Sequence, residues 1–317
     1  MQIQAEHGFR QLLYQGVGQC IQGLDFTQVT WCGAILGDLM WMASSKRRMI
    51  ATQALIHHLS KNKASAVRIA KKNFRHTGTA FLEMFLTRKV DHRFTATNIS
   101  FTNSALYRRM MDTKRPIVAT TGHFGAWELM APLLALHFRD RTRQIIVKHP
   151  QDRAFARLVD HYRGLGGNST VDKDQAASQV LRCLYRGGVS AFLVDHNTKR
   201  SKGTFLPFLR GTASVNIGPA VLAIRTKALV WPIFLQRVGK GRYAVHLEEP
   251  LDPTQLQDPM QDKVKTVAAF YTRAVERMVL RFPEQWFWMH KRWRTRSLEE
   301  KSRPKSAAVG GNIDWKE

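Results

Sequence analysis

The chain is 317 residues long, 44% hydrophobic, 10% aromatic and 23% charged, a composition that buries a core and excludes disordered, collagen-like and coiled-coil classes. At about 150 residues per domain this is two domains or one large one. With 49 Lys and Arg against 24 Asp and Glu the formal charge is +25, so an acidic partner is expected: nucleic acid, anionic lipid headgroups or a small acidic protein.

Cys20, Cys32 and Cys183 are odd in number and lack a Cys-x-x-Cys spacing, which argues against a disulfide framework or a zinc site and for a reducing compartment. No secretory leader pattern opens the sequence, and no run of about 20 apolar residues predicts a bilayer-spanning helix. The nearest candidate, residues 29–43, is too short and is broken by Asp38, and its aromatic and Met content suits an interface better. From Leu39 to Leu82 there is no acidic residue, while Lys46, Arg47, Arg48, Lys61, Lys63, Arg68, Lys71, Lys72 and Arg75 supply nine positive charges. An apolar segment followed by a one-sign basic stretch predicts monotopic contact with an anionic bilayer; a buried helix followed by a solvated helical face is the alternative.

Hydrophobic periodicity predicts helices near 30–43, 48–60 and 64–88, then a loop near 91–98. From Arg115 the texture changes to short apolar runs (PIVATTG, QIIVK, STVDK, VSAFLVD) alternating with helices near 125–138, 152–164 and 175–187. That alternation predicts βαβ units and a mainly parallel α/β sheet flanked by helices. Next come TFLPFL, a helix near 214–226, and two apolar runs joined at Gly239–Gly241, which read as a hairpin on the sheet edge; a final helix is predicted near 261–282. The division expected is a helical, basic membrane-contact region over 1–90, an α/β core over 91–298, and a polar, disordered tail over 299–317.

In open α/β sheets chemistry collects where loops leave the carboxyl ends of strands. The first such loop reads TTGHFGAWE and delivers His123 and Glu128 together. On a continuous helix five residues would separate them by about 140°, but the flanking glycines allow the chain to fold His123 back towards Glu128. A neutral histidine takes a proton from a hydroxyl, and a carboxylate on its other nitrogen fixes the tautomer. A helix cap with an exposed glutamate satisfies the same spacing.

The strings GHFGAWEL, DHNTKRSKGTFLPFLRGTASVNIGPAVLAIRTKALVWPIFLQRV and PEQWFWMHKRWRTR occur in the order of three blocks of the bacterial lipid A biosynthesis acyltransferases, the lauroyl and myristoyl acyltransferase family. The chain resembles that family from about Trp31 to Arg296. The resemblance implies an enzyme at the cytoplasmic face of the inner membrane that moves a fatty acyl chain from acyl carrier protein to a hydroxyl of a glycolipid, in lipopolysaccharide biosynthesis. It implies His123 as general base with Glu128 orienting it, no metal and no cofactor. An acidic carrier protein and a phosphorylated glycolipid in an anionic membrane both suit the charge, and no nucleic acid is expected.

The same resemblance matches Arg163, with Arg157 as the alternative register, to an arginine that binds phosphate or the oxyanion. It matches Asp195 to an Asp-containing loop in which Lys199, Arg200 and Lys202 await phosphate and Asp195 holds one of these cations. In GTFLPFLRGTA, Phe205, Phe208 and Arg210 are implied to line the substrate pocket, although Arg210 stands one place early against the family pattern. The amino terminus also departs, being Gln-rich and weakly amphipathic where many relatives carry an apolar anchor, so the acceptor is another glycolipid or aminolipid in the second reading. Two rivals remain: a thioesterase on the same scaffold, for which no Gly-x-Ser-x-Gly elbow is present, and a nucleic-acid binder that stacks bases on Trp286, Trp288 and Trp293 beside Arg292 and Arg294.

Overall fold

The computed structural model describes residues 14–149, 152–172 and 176–297, so the tail predicted over 299–317 and the first 13 residues lie outside it. The described chain opens on a helical segment over 14–22, followed by three helices: α1 (Phe26–Ala43), α2 (Ser45–Leu59) and α3 (Lys63–Glu83). Helix α1 starts earlier than periodicity suggests because Asp25 and Gln28 form a reciprocal capping box. Ser44 and Asn62 cap α2 and α3 through their side-chain oxygens. Where α1 crosses α3 the backbones touch: a Cβ on Gly33 or Gly37 would run into the α3 backbone at Thr79 or Arg75.

The predicted loop at 91–98 is instead helix α4 (His92–Asn98), started by the Asp91 carboxylate on the Phe94 N–H. It feeds β1 (Ile99–Phe101) and α5 (Ser104–Asp112). The alternation beyond Arg115 is β2 (Ile117–Thr121), α6 (Met130–His137), β3 (Arg143–Val147), α7 (Arg153–Gly164), β4 (Ser169–Asp172), α8 (Ala176–Tyr185) and β5 (Val189–Leu193). Then follow β6 (Gly203–Phe208), β7 (Gly211–Asn216), α9 (Gly218–Thr226), β8 (Leu229–Gly239), β9 (Arg242–Leu247) and α10 (Met260–Arg281). The helix predicted from 214 starts only at Gly218, because Thr212–Asn216 pairs with β6 in an antiparallel hairpin.

Seven strands form one sheet in the order β1-β9-β8-β2-β5-β3-β4, parallel at every junction except β8–β9. The fold is therefore α/β with a mostly parallel sheet. The β8–β9 hairpin is not at the edge: β1 covers β9, Ile99 opposite Tyr243. Alternate residues feed the two faces, as the strand period demands. Val118, Phe192, Val230 and Phe234 point into a core with α8, α9 and α10, while Ile117, Ala119, Trp231 and Leu235 pack against α5, α6 and α7.

Four partly buried histidines give stability a definite pH dependence. Burial pushes His58, His137 and His290 down to about 4, and burial together with Arg237 and Lys72 pushes His76 down to about 3, from an ordinary 6.5. These bases bind protons more weakly folded than unfolded, so stability falls as pH drops below about 6.5, each contributing up to about 1.4 kcal/mol per unit. His149 acts in the opposite sense, because Asp172 and Asp160, at 2.8 Å from its two nitrogens, raise its pKa. Urea midpoints at pH 7, 5.5 and 4.5 are expected to decline throughout; a flat profile contradicts the buried-neutral assignment.

Candidate active site

The register of the sheet builds the site. β2 and β5 are adjacent and parallel with Thr121 opposite Leu193, so the residues two places beyond each strand, His123 and Asp195, emerge side by side. His123 donates its backbone N–H to Asp195 Oδ2 at 2.7 Å, and its ring Nδ1 lies 2.8 Å from Asp195 Oδ1. Asp195 is buried, and the Trp286 indole N–H also donates to Oδ2 at 2.9 Å. Burial alone would raise the Asp195 carboxyl, but His123, its hydrogen bond, His196 and His290 hold it below the usual range. An ionised Asp195 only accepts, so Nδ1 carries the proton and the His123 Nε2 lone pair is left free.

Glu128 does not reach His123 Nδ1. It accepts from Arg163 Nε at 2.9 Å, from Arg163 Nη2 at 2.7 Å and from the Trp127 indole N–H at 2.9 Å. The expected His123–Glu128 hydrogen bond is therefore replaced by His123–Asp195, because the helix predicted from 125 does not form there. Gly125 sits at φ +57° with its backbone against the Leu235 carbonyl, and a short turn at Trp127–Leu129 directs Glu128 towards α7. Burial would raise the Glu128 carboxyl too, but the Arg163 guanidinium outweighs it and keeps the carboxylate charged.

The carboxy-terminal segment clasps this loop. Gly125 N–H donates to Gln285 O and Phe287 N–H to His123 O, both at 2.9 Å, and His290 lies between the carbonyls of Phe287 and Asp195. Trp286, Trp288, Trp293 and Arg292 are all buried, so that aromatic and basic cluster packs the core and presents nothing for a base to stack on.

His123 opens on a cleft of about 960 Å³. One wall is apolar and comes from the helical region: Leu36, Phe81, Leu82, Met84 and Phe85. Another is basic, with Lys148, Arg163, Lys199 and Lys202, and His196 and Asn197 complete the rim. Behind Trp127, Arg163, Phe192 and Leu193, which face both spaces, lies a narrower cavity of about 100 Å³. Its lining is almost wholly apolar and runs under α6 past Met130, Leu133 and Leu134 to the Tyr107–His137 pair, hydrogen-bonded at 2.7 Å.

Of the residues singled out in the sequence, His123, Glu128, Arg163, Lys199 and Lys202 line this cleft, and Asp195 lies directly beneath it. Arg157 is exposed on α7, whereas Arg163 is turned inward. Asp195 does not hold Lys199, Arg200 or Lys202; its oxygens are taken by His123 and Trp286, and Arg200 donates to the Arg296 carbonyl. Phe205, Phe208 and Arg210 line neither space. They belong to the β6–β7 hairpin, whose base, at Lys202 and Asn216, meets the cleft while its tip packs into the core. The tip is anchored there by the Leu209 N–H on Glu276, and Phe208 is buried against Trp286 and Trp293 while Arg210 is exposed. Sequence reading missed Trp286, Gln285, His196 and His290 as parts of the site; for His196 the signal was present in the Asp-His pair directly after strand β5. Among the described residues no group of three or more His, Cys, Asp or Glu is placed to hold a metal ion.

Residues 5–295 match the family model described as bacterial lipid A biosynthesis acyltransferase. A lipid A biosynthesis lauroyltransferase of Escherichia coli is 25% identical over 71% of this chain and 71% of its own length. A lipid A biosynthesis acyltransferase of Haemophilus influenzae is 23% identical over 59% of this chain and 58% of its own. Among solved structures, the 1-acyl-sn-glycerophosphate acyltransferase PlsC of Thermotoga maritima is similar over 78% of this chain and 96% of its own, at 12% identity and a TM-score of 0.36.

Proposed function

Because the chain belongs to the bacterial lipid A biosynthesis acyltransferase family, we propose that it transfers a fatty acyl chain from acyl carrier protein to a hydroxyl of a lipid A precursor. The observation that carries this reading is the buried His123–Asp195 pair opening on a cleft with one apolar and one basic wall. His123 Nε2 takes the proton of the acceptor hydroxyl while Asp195 stabilises the imidazolium that forms. The oxygen attacks the thioester carbonyl, the tetrahedral intermediate collapses, and the departing thiolate takes the proton back from His123. No acyl-enzyme is needed. Lys148, Arg163, Lys199 and Lys202 suit the phosphates of the acceptor, with Glu128 fixing Arg163 in place. The apolar lining of the cavity behind Trp127 suits part of an acyl chain.

The protein acts at the cytoplasmic face of the inner membrane as a peripheral partner of the bilayer. No helix among the described residues is long and apolar enough to cross a membrane. On α1, however, Trp31, Ile35, Leu39 and Met42 recur at helical spacing and are 41–64% exposed. The same helix sends Leu36 into the cleft, and Lys46, Arg47, Lys63, Arg68, Lys71 and Lys72 are exposed on the two helices that follow. Vesicles containing phosphatidylglycerol are expected to bind the protein, and the Trp31→Ala, Leu39→Ala double variant is expected to release in molar salt where the wild type is partly retained. Equal retention of both proteins contradicts apolar insertion by this face.

The test is transfer of radiolabelled acyl chains from a set of acyl carrier protein thioesters to a total bacterial lipid extract, run beside His123→Ala. A labelled lipid absent with the variant supports the reading, and its mass names the acceptor and chain. Labelled free fatty acid in its place makes the protein a thioesterase.

A further inference from the structure

Acyl transfer needs a donor for the oxygen that becomes negative in the tetrahedral intermediate, and loss of one such donor typically costs 100-fold or more in turnover. Four consecutive amides of the loop that carries the base are already engaged. His123 N–H is on Asp195, Phe124 N–H on Gly122 O at 2.8 Å, and Gly125 and Ala126 N–H on Gln285 O and Leu235 O at 2.9 Å. Arg163 faces the cleft, but its Nε and Nη2 are both committed to Glu128.

Resting on the acyl-transfer reading above, we propose that His196 is the oxyanion donor: its ring N–H binds the thioester carbonyl oxygen and strengthens as that oxygen becomes negative. His196 follows Asp195 directly, so the strand register that places the base also fixes this residue. Its ring stands edge-to-face on His123, centroids 4.3 Å apart at 66°, and it lines the same cleft. Among the described residues its ring nitrogens have no hydrogen-bond partner, which leaves a donor facing the space where the thioester carbonyl must come to meet a hydroxyl held at His123. Burial, followed by His123, depresses the His196 pKa well below 6.5. The ring is thus neutral, keeps one N–H to donate, and does not repel the imidazolium that forms beside it; neutral imidazole is a competent electrophile for a carbonyl.

In the step, the acceptor O–H proton passes to His123 Nε2 and the oxygen bonds to the carbonyl carbon. The carbonyl π pair moves onto oxygen, where the His196 N–H receives it. Collapse re-forms the C=O bond and breaks the C–S bond, and the thiolate takes the proton from His123, so one ester and one thiol leave per turnover. His196 keeps its proton throughout.

His196→Phe retains a ring against His123 and removes both nitrogens, whereas His196→Gln restores an N–H. Steady-state transfer from acyl carrier protein thioester to a lipid A precursor is expected to show kcat about 100-fold down for the phenylalanine protein with KM changed by less than about threefold. The glutamine protein is expected to recover to within about tenfold of wild type, and thermal unfolding of both to match it. Should the phenylalanine protein not fold, His196→Ala is read in the same way. A kcat within about threefold of wild type, a loss confined to KM, or a glutamine variant no better than the phenylalanine one overturns the assignment. Wild-type protein that forms no ester while His196→Phe folds normally overturns the acyl-transfer reading itself, and the role of His196 with it.

Discussion

Asp195→Asn is expected to lower kcat by about 10,000-fold while leaving the fold and substrate affinity close to wild type. The carboxylate accepts the His123 Nδ1–H, and an amide in its place offers an N–H at one position and a neutral oxygen at the other. With the N–H turned to the ring, Nδ1 becomes the acceptor, the proton moves to Nε2, and the lone pair that takes the hydroxyl proton is lost. The other orientation is disfavoured, because it sets the amide NH2 against the His123 and Trp286 N–H donors. The backbone bond from His123 N–H to Oδ2 and the Trp286 bond hold the residue in position, so loss of chemistry is expected without loss of structure. Glu128→Gln, by contrast, acts through Arg163 and Trp127 and is expected to show in acceptor affinity as much as in turnover. The reverse pattern, with Glu128→Gln abolishing turnover and Asp195→Asn nearly wild type, would return the orienting role to Glu128.

Glu83→Ala is expected to cost about 3–5 kcal/mol of stability, the usual result of leaving one buried charge without its partner. Glu83 is fully buried and receives Arg237 Nε at 3.0 Å, Arg237 Nη2, and the Tyr243 hydroxyl at 2.7 Å. Arg237 in turn donates Nη1 to His76 Nδ1 at 2.9 Å, a bond that the depressed His76 pKa suits because only the neutral ring accepts there. The same arginine exchanges both backbone bonds with the Gln285 side chain, and the Gln285 backbone carbonyl holds Gly125 in the His123 loop. Urea denaturation should therefore show a lower midpoint, with activity lost in parallel; Tyr243→Phe, which removes one hydrogen bond and no charge, is expected to cost only about 1 kcal/mol. A Glu83→Ala protein within about 1 kcal/mol of wild type would mean that Arg237 finds solvent or another partner.

What the sequence disclosed was local. The βα alternation after Arg115 announced the sheet because each strand is a short apolar run bounded by turn residues, and His123 and Glu128 stood out because both lie in the loop after β2. Strand β1 and helix α4 were missed because neither is set by its own pattern: α4 depends on a single Asp91 cap, and β1, three residues long, is fixed by pairing with the distant β9. The partner of His123 was missed for a different reason. Asp195 is 72 residues away, and only the adjacency of β2 and β5, strands that are not consecutive in the chain, brings the two together. Glu128 stood close in sequence, but the Gly125 turn sends it to Arg163 instead. The resemblance implied that Phe205, Phe208 and Arg210 line the pocket, whereas they lie on an antiparallel hairpin that buries Phe208 against Trp286 and Trp293 and leaves Arg210 exposed. The basic run after α1 was visible at once, yet only the packed helices reveal that Leu36 faces the cleft while Trp31, Ile35, Leu39 and Met42 face out.

The most direct measurement couples the two products of the proposed reaction: thiol released from an acyl carrier protein thioester and ester formed on a purified lipid A precursor, followed together for wild type and His123→Ala. The account predicts one ester for every thiol with the wild type and neither product above background with the variant. Thiol released with free fatty acid and no ester, or a His123→Ala protein that still esterifies the precursor, would contradict it.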